Sequence, residues 1–195
     1  MCYTKTASGR CMRASAGCRN LFYQNHCRIP CGIHSVFSNT FIFDAENDGK
    51  EGYLYSLVTT SIIQGIKSIP VYVEADVSDG MPLFEMVGSL SPEVKESKER
   101  VRTALKNTGY ILPPKRITIN FIPANIRKTG SGFDLPVVAA VLCAIGIVPE
   151  EALKDTMVVG EISLSGDVKP VNGILPMVAE AKERGVTRCI VPAEN

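Results

Sequence analysis

Over residues 69–77 the chain alternates with a period of two: Val71, Val73, Ala75 and Val77 on one side, Tyr72, Glu74 and Asp76 on the other. An extended backbone sends such sets to opposite faces, so this stretch predicts a strand with one buried face. Runs over 55–64 and 83–87 add two more strands, separated by the turn signals Gly65 and Asp79-Gly80. Ser91-Pro92-Glu93 then reads as a helix start, with a hydroxyl cap, a proline whose missing N–H is not needed, and a carboxylate near the positive dipole end. Val94, Val101, Ala104 and Leu105 give that helix an apolar stripe to about Asn107, and Gly109 closes it. A strand over 116–122, a buried helix over 134–145, a strand over 157–164, a helix over 175–184 and a strand over 188–191 follow. The order β-β-β-α-β-α-β-α-β predicts an α/β fold, a mixed-sheet α/β sandwich with helices packed on the sheet.

Residues 1–52 lack this order. Their apolar residues are scattered among Arg, Ser, Asn and Cys with no sustained period, so we read 1–52 as an unassigned, disordered or mis-assigned leader and 53–195 as the domain. We expect the leader to be translated from an upstream start, with the working protein beginning at Leu54, read as Met from a UUG codon. Five of the seven cysteines fall in the leader, where Cys27, Cys31, His26 and His34 could ligate zinc, but their spacing is irregular for it. Cys143 sits in an apolar run and reads as a small buried hydrophobe. A net charge of +1 gives no whole-chain field for gathering nucleic acid, and no apolar run reaches the ~18 residues that cross a bilayer. The expectation is a cytoplasmic protein with no membrane partner.

Chemistry would be sought first in Lys128-Thr129-Gly130-Ser131-Gly132-Phe133-Asp134, where glycines and a serine lead into a helix whose free N–H groups point outward. Ser131 would be a nucleophile if a base lay beside it. The alternative, which we favour, is a loop and helix cap built from Gly, Ser131 or Asp134, and Pro136. Both histidines lie in the leader, so a Ser-His-Asp triad is not expected, and only Lys128 or Lys169 remains as a base. Neither stands in an apolar context that would lower its pKa. Lys95, Lys98 and Arg102 make a possible basic face on the first helix, but Glu93, Glu96 and Glu99 are interleaved with them, which favours a solvated, salt-bridged surface and weak DNA contact. No Gly-x-x-x-x-Gly-Lys-Ser/Thr pattern occurs, so nucleotide hydrolysis is not expected, and no metal or cofactor site is predicted in the domain.

Several stretches in sequence order resemble the ComM/YifB-type magnesium-chelatase-like AAA+ ATPase family: Leu83-Phe84-Glu85-Met86-Val87-Gly88, Val94-Lys95-Glu96-Ser97-Lys98-Glu99-Arg100-Val101-Arg102, Pro113-Pro114-Lys115-Arg116-Ile117-Thr118-Ile119-Asn120, Ser131-Gly132-Phe133-Asp134-Leu135-Pro136, Gly160-Glu161-Ile162-Ser163-Leu164 and Pro192-Ala193-Glu194-Asn195. The resemblance implies an N-terminal domain of the Lon-protease-like (ribosomal-protein-domain-like) superfamily, truncated here on its C-terminal side. An AAA+ module, to which ATP and magnesium belong, would follow in full-length members. It also implies a hexameric motor for DNA branch migration in natural transformation, with the AAA+ module and neighbouring subunits as partners. Lon peptidases carry a Ser in a glycine-bearing loop before a helix and a Lys after a Pro-x-Gly-Gly-Leu turn. The match puts Gly132 at the serine position and Leu175 at the lysine position, with Ser131 one residue early. We therefore expect a protease fold with no catalytic residues and an interaction loop at Lys128, Ser131 and Asp134. The alternative is a Ser/Lys-type peptidase or amidase using Ser131.

Overall fold

The computed structural model describes residues 3–5, 11–13 and 55–195. The zinc reading of His26, Cys27, Cys31 and His34 lies outside the described residues. Ahead of the domain, β1 (Tyr3–Lys5) pairs antiparallel with β2 (Cys11–Arg13).

The domain is built on a six-stranded sheet of order β10-β7-β3-β4-β6-β5. Its long centre is the antiparallel hairpin of β3 (Tyr55–Gln64) and β4 (Lys67–Ser78), with β6 (Arg116–Ile122) antiparallel to β4. On one side β5 (Leu83–Val87) runs parallel to β6; on the other, β7 (Thr156–Val158) and β10 (Arg188–Ile190) continue in parallel. The sheet is mixed, as the order of elements predicts. Val58 and Ile62 of β3, Val71, Val73, Ala75 and Val77 of β4, Ile117, Ile119 and Phe121 of β6 and Phe84 of β5 form one buried face.

Helices α1 (Pro92–Asn107) and α2 (Asp134–Ala144) close over that face. The stripe expected on α1 is buried, with Ser97 added to it. α2 is apolar nearly all round and buried along almost its whole length, as such a helix must be. Phe121 meets Phe133, just before α2, edge to face at a centroid distance of 5.6 Å. Helix α3 (Ile174–Glu183) lies on the opposite side of the sheet and covers only part of it, packing Met177 and Ala181 against Met157 and Val159. Among the described residues no helix is long and apolar enough to cross a membrane.

Two local expectations are corrected. The strand expected over 157–164 is broken into β7 and β8 (Glu161–Ile162), which pairs with β9 (Val168–Lys169) in a separate hairpin. The break is at Gly160, whose N–H donates to Gly132 O (3.1 Å) while its carbonyl accepts from Leu135 N (2.9 Å), so its backbone serves the α2 loop instead of a ladder. A Cβ there would lie 3.0 Å from Leu135 Cδ2 and 3.1 Å from Val168 Cγ1, which makes glycine the residue that permits the crossing. Ser91 does precede α1, but its hydroxyl caps nothing: Oγ is buried without a partner, and the backbone alone is engaged, N–H to Lys128 O and carbonyl from Lys95 N.

Candidate functional site

The loop before α2 is positioned by its backbone. Lys128 forms a bridge with Leu90, donates its N–H to Ser89 O at 2.7 Å and accepts from Ser91 N at 2.9 Å, which fastens the loop to the approach to α1. The lysine side chain turns inward. It is 0% exposed, and its Nζ donates to Phe121 O at 3.2 Å and to Pro123 O, the carbonyls that flank the cis Ile122-Pro123 bond. Burial lowers its pKa from the usual lysine value, since the charged form loses its water. The expectation that Lys128 stands in no apolar context is therefore wrong. Its sequence neighbours Arg127, Thr129 and Gly130 are exposed, but a lysine stem of four methylenes is long enough to carry the amine past them to carbonyls that need donors.

Asp134 is also 0% exposed. Arg100 of α1 grips it with two hydrogen bonds, Nε to Oδ2 at 2.8 Å and Nη2 to Oδ1 at 3.1 Å, and the Ile162 N–H donates to Oδ2 at 3.2 Å. The carboxylate thus ties α1, α2 and β8 together, and the hydrogen bond to Asp134 raises the Arg100 pKa. Of the three residues expected to form an interaction loop, Lys128 and Asp134 are corrected to internal braces. Only Ser131, half-buried beside exposed Gly130, remains at the surface. Sequence reasoning missed Arg100, because a partner 34 residues away leaves no local signal.

The two segments matched to the Lon loop and turn are brought together. A Cβ on Gly132 would lie 3.3 Å from Val159 Cγ1 and 3.8 Å from Val171 Cγ1, so the loop glycine packs directly against the turn that precedes α3. That turn is held from behind by Asn195, whose amide imitates a strand partner: Oδ1 accepts from Val171 N (2.9 Å) and Nδ2 donates to Val171 O (2.8 Å). Gly173 takes a positive φ of 84° and sits on Ile63. Leu175, at the lysine position, is 81% exposed. Ser131 makes no side-chain hydrogen bond among the described residues, and Lys169 is exposed on β9. On α1, Lys95 and Arg102 are exposed and Lys98 is half-buried, with Arg102 paired to Glu99 at 3.5 Å. Among the described residues no group of three or more His, Cys, Asp or Glu side chains is placed to hold a metal ion.

Known proteins resemble this chain in sequence. A family model described as subunit ChlI of Mg-chelatase matches residues 73–195. The chain is 38% identical over 140 residues to the uncharacterised protein YifB of Escherichia coli K12, covering 72% of this chain and 28% of that protein. It is 35% identical over 128 residues to competence protein ComM of Haemophilus influenzae, with 66% of this chain and 25% of that protein covered. Against Lon protease 2 of Bacillus subtilis it is 34% identical over 122 residues, 60% of this chain and 22% of the protease, which agrees with the mixed α/β architecture. The chain spans about a quarter of the length of the curated relatives it matches. With the family model covering well over half of it, the chain belongs to the Mg-chelatase ChlI family, of the kind represented by YifB and ComM.

Proposed function

We propose that this chain acts by contact: a non-catalytic module of a magnesium-chelatase-like AAA+ motor that processes DNA, by branch migration in natural transformation, in the cytoplasm. Its work is assembly or substrate handling. Its partners are the AAA+ module of the same full-length protein and neighbouring subunits, with weak DNA contact through Lys95, Lys98 and Arg102. ATP and magnesium serve that ATPase module, whose phosphate-cradling pattern does not occur in this sequence.

The observation that supports this reading is the pairing of Gly132 with the Val171 turn. The two Lon-matched segments touch, yet the residues at the reactive positions are a glycine and an exposed leucine. A Ser/Lys-type peptidase needs its nucleophile with a base in hydrogen-bond reach. One observation favours the second reading, a Ser131-dependent peptidase or amidase: the Lys128 amine is withdrawn from water and its pKa is lowered, the condition a lysine base requires. Its hydrogen bonds nonetheless run to the Phe121 and Pro123 carbonyls and not to Ser131. A serine-reactive acyl-phosphonate probe separates the two. We expect no labelling of Ser131, and labelling lost in both Ser131→Ala and Lys128→Met would establish the peptidase in place of the contact module.

A further inference from the structure

Helical geometry sorts the charges of α1 in a way their order along the chain conceals. At ~100° per residue, Lys95, Lys98, Arg102 and Lys106 fall within about 80° of arc. Glu93, Glu96 and Arg100 take the flank that meets α2, where Arg100 engages Asp134. Glu99 borders the basic flank and pairs with Arg102, while Lys95, Lys98 and Lys106 have no ion-pair partner among the described residues. The solvated, salt-bridged surface expected from the interleaved sequence is formed only in part: Arg102 pairs with Glu99, and Lys95, Lys98 and Lys106 leave this flank of α1 with an excess of positive charge.

The other side of the sheet has an excess of the opposite charge, three carboxylates against Arg116 and Arg184. α3 covers its β7–β3 part and the adjoining stretch of β4, where Arg184 reaches the Tyr72 ring and hydroxyl, and leaves bare β6, β5 and the part of β4 that carries Glu74 and Asp76. The register aligns Tyr55, Asp76, Thr118 and Glu85 in one row across that bare surface and Leu57, Glu74, Asn120 and Val87 in the next. Three carboxylates, Glu74, Asp76 and Glu85, stand in these rows, and the neighbouring cation Arg116 is spent on Glu85 at 2.9 Å. Glu74 is held in place by the Tyr55 hydroxyl (2.7 Å) and the Asn120 amide (2.8 Å). Tyr55, Leu57, Leu83 and Val87 are exposed among them. A groove of about 560 Å³ adjoins this face, bounded by Leu57, by the acidic Glu150, Glu151 and Asp155 and by the basic Lys154 and Arg184, so it adds little net charge of its own.

We propose that the basic flank of α1 in one copy of this chain docks on the bare acidic sheet face of the next. The lysine and arginine stems would lie along Leu57, Leu83 and Val87 with their charged heads at Glu74, Asp76 and Glu85. Because the two surfaces lie on opposite sides of one sheet, the contact is head-to-tail, and repetition generates a ring if the rotation closes. A two-fold pairing of either surface with itself would set like charges together. The inference deepens the assembly role proposed above and rests on it.

Sedimentation of the full 195-residue chain tests it. Wild type is expected to form concentration-dependent oligomers up to about 100 μM. These should dissociate as ionic strength rises from about 0.1 M to about 1 M, where the screening length shrinks from about 10 Å to about 3 Å. The triple variant Lys95→Glu, Lys98→Glu, Arg102→Glu and the double variant Asp76→Lys, Glu85→Lys should each lose self-association by about tenfold or more. Circular dichroism checks that both are folded, and Asp76→Lys alone, at an exposed position, serves if the double variant is not. Mixed one to one, the triple and double variants should associate again, since each helix then meets a face of opposite sign.

A monomeric wild type, oligomers indifferent to the reversals, or no recovery on mixing overturns the proposal. So does a monomer whose α1 stripe binds a fluorescent oligonucleotide instead. Labelling of Ser131 would end the contact-only reading without altering sedimentation, and a monomer would leave the DNA-processing reading standing, so the two failures are distinguishable.

Discussion

Leu57 and Val58 are consecutive on β3, yet Val58 is 1% exposed beneath the helices and Leu57 is 40% exposed on the far side. The contrast extends to the whole sheet. One face is sealed by α1 and α2 and carries nearly every large buried side chain, including Phe121, Ile119, Val73 and Val58. The other has a strip closed by α3 and an open remainder where carboxylates and apolar residues share the surface. Folding free energy and contact surface are thus divided between the two sides of one layer. Side chains on the open half can change with little effect on the fold, and those on the closed half cannot.

The sharpest test of that division is Phe121→Ala. Phe121 is 0% exposed and packs on Phe133, so truncation should destabilise by about 3–5 kcal/mol in urea unfolding. A loss below about 1 kcal/mol would mean that the sealed face is not the core. Next comes Asp134→Ala, which strips Arg100 of its carboxylate partner, leaving it only the Glu93 carbonyl, and leaves the Ile162 N–H unsatisfied; about 3 kcal/mol is expected, reduced somewhat because Arg100 is 25% exposed. A cycle with Arg100→Ala should show coupling above about 1 kcal/mol, and additive losses would deny that the pair braces α1 against α2.

How far the sequence disclosed this arrangement depends on whether the signal was periodic or positional. Alternation in Val71, Val73, Ala75 and Val77 reports burial directly, so the sealed face and its strands were legible residue by residue. The helix α2 was legible from its unbroken apolar run, which has no period and leaves no face for water. Lys128 was not, because its polar neighbours describe the path of the backbone and say nothing of where a long flexible stem ends. Asp134 was read as a cap since helix starts favour carboxylates, and its real partner, Arg100, becomes adjacent only after α1 and α2 pack. The glycine at 160 was a visible signal that the strand over 157–164 should break, for a glycine inside a strand marks close backbone approach. The Lon resemblance marked the Gly132 loop and the Val171 turn as matching segments, but their contact left no local pattern and became visible only in the fold.

Alkaline titration compares the two faces by a different route. On the sealed side, burial pushes the Cys143 thiol from 9.0 up to about 12, with Glu150 adding a smaller push. The folded state therefore holds that proton more tightly than the unfolded chain. Its contribution is complete below about pH 9 and is lost as pH rises from about 9 to about 12. At about pH 11 the loss is on the order of 2 kcal/mol, and Cys143→Ala should flatten the alkaline limb of the stability profile by that amount. On the open side, Tyr55 is likewise raised to about 12, chiefly by its hydrogen bond to the Glu74 carboxylate. Being 48% exposed, it should contribute much less, so Tyr55→Phe should leave the limb nearly unchanged. An equal response from both variants would contradict the division.

The strip under α3 should behave as an intermediate. In Gly132→Ser the added Cβ would sit 3.3 Å from Val159 Cγ1, a side chain that is 0% exposed, so the pair must separate by a few tenths of an ångström. About 1 kcal/mol is the expected loss, visible as a lowered thermal midpoint.

The smallest effect is expected at Leu57→Ser, and it carries the most information about the open face. Removing an apolar side chain from the middle of a strand would ordinarily cost several kcal/mol; here it should cost less than about 0.5 kcal/mol in a dilute monomer, because the side chain is already largely in water. If copies dock through this face, the same substitution should weaken their association more than it weakens the fold. A stability loss in the monomer comparable to that of Val58→Ser would instead mean that Leu57 is covered within the chain itself, and the sheet would then have two sealed sides and no free surface to offer a partner.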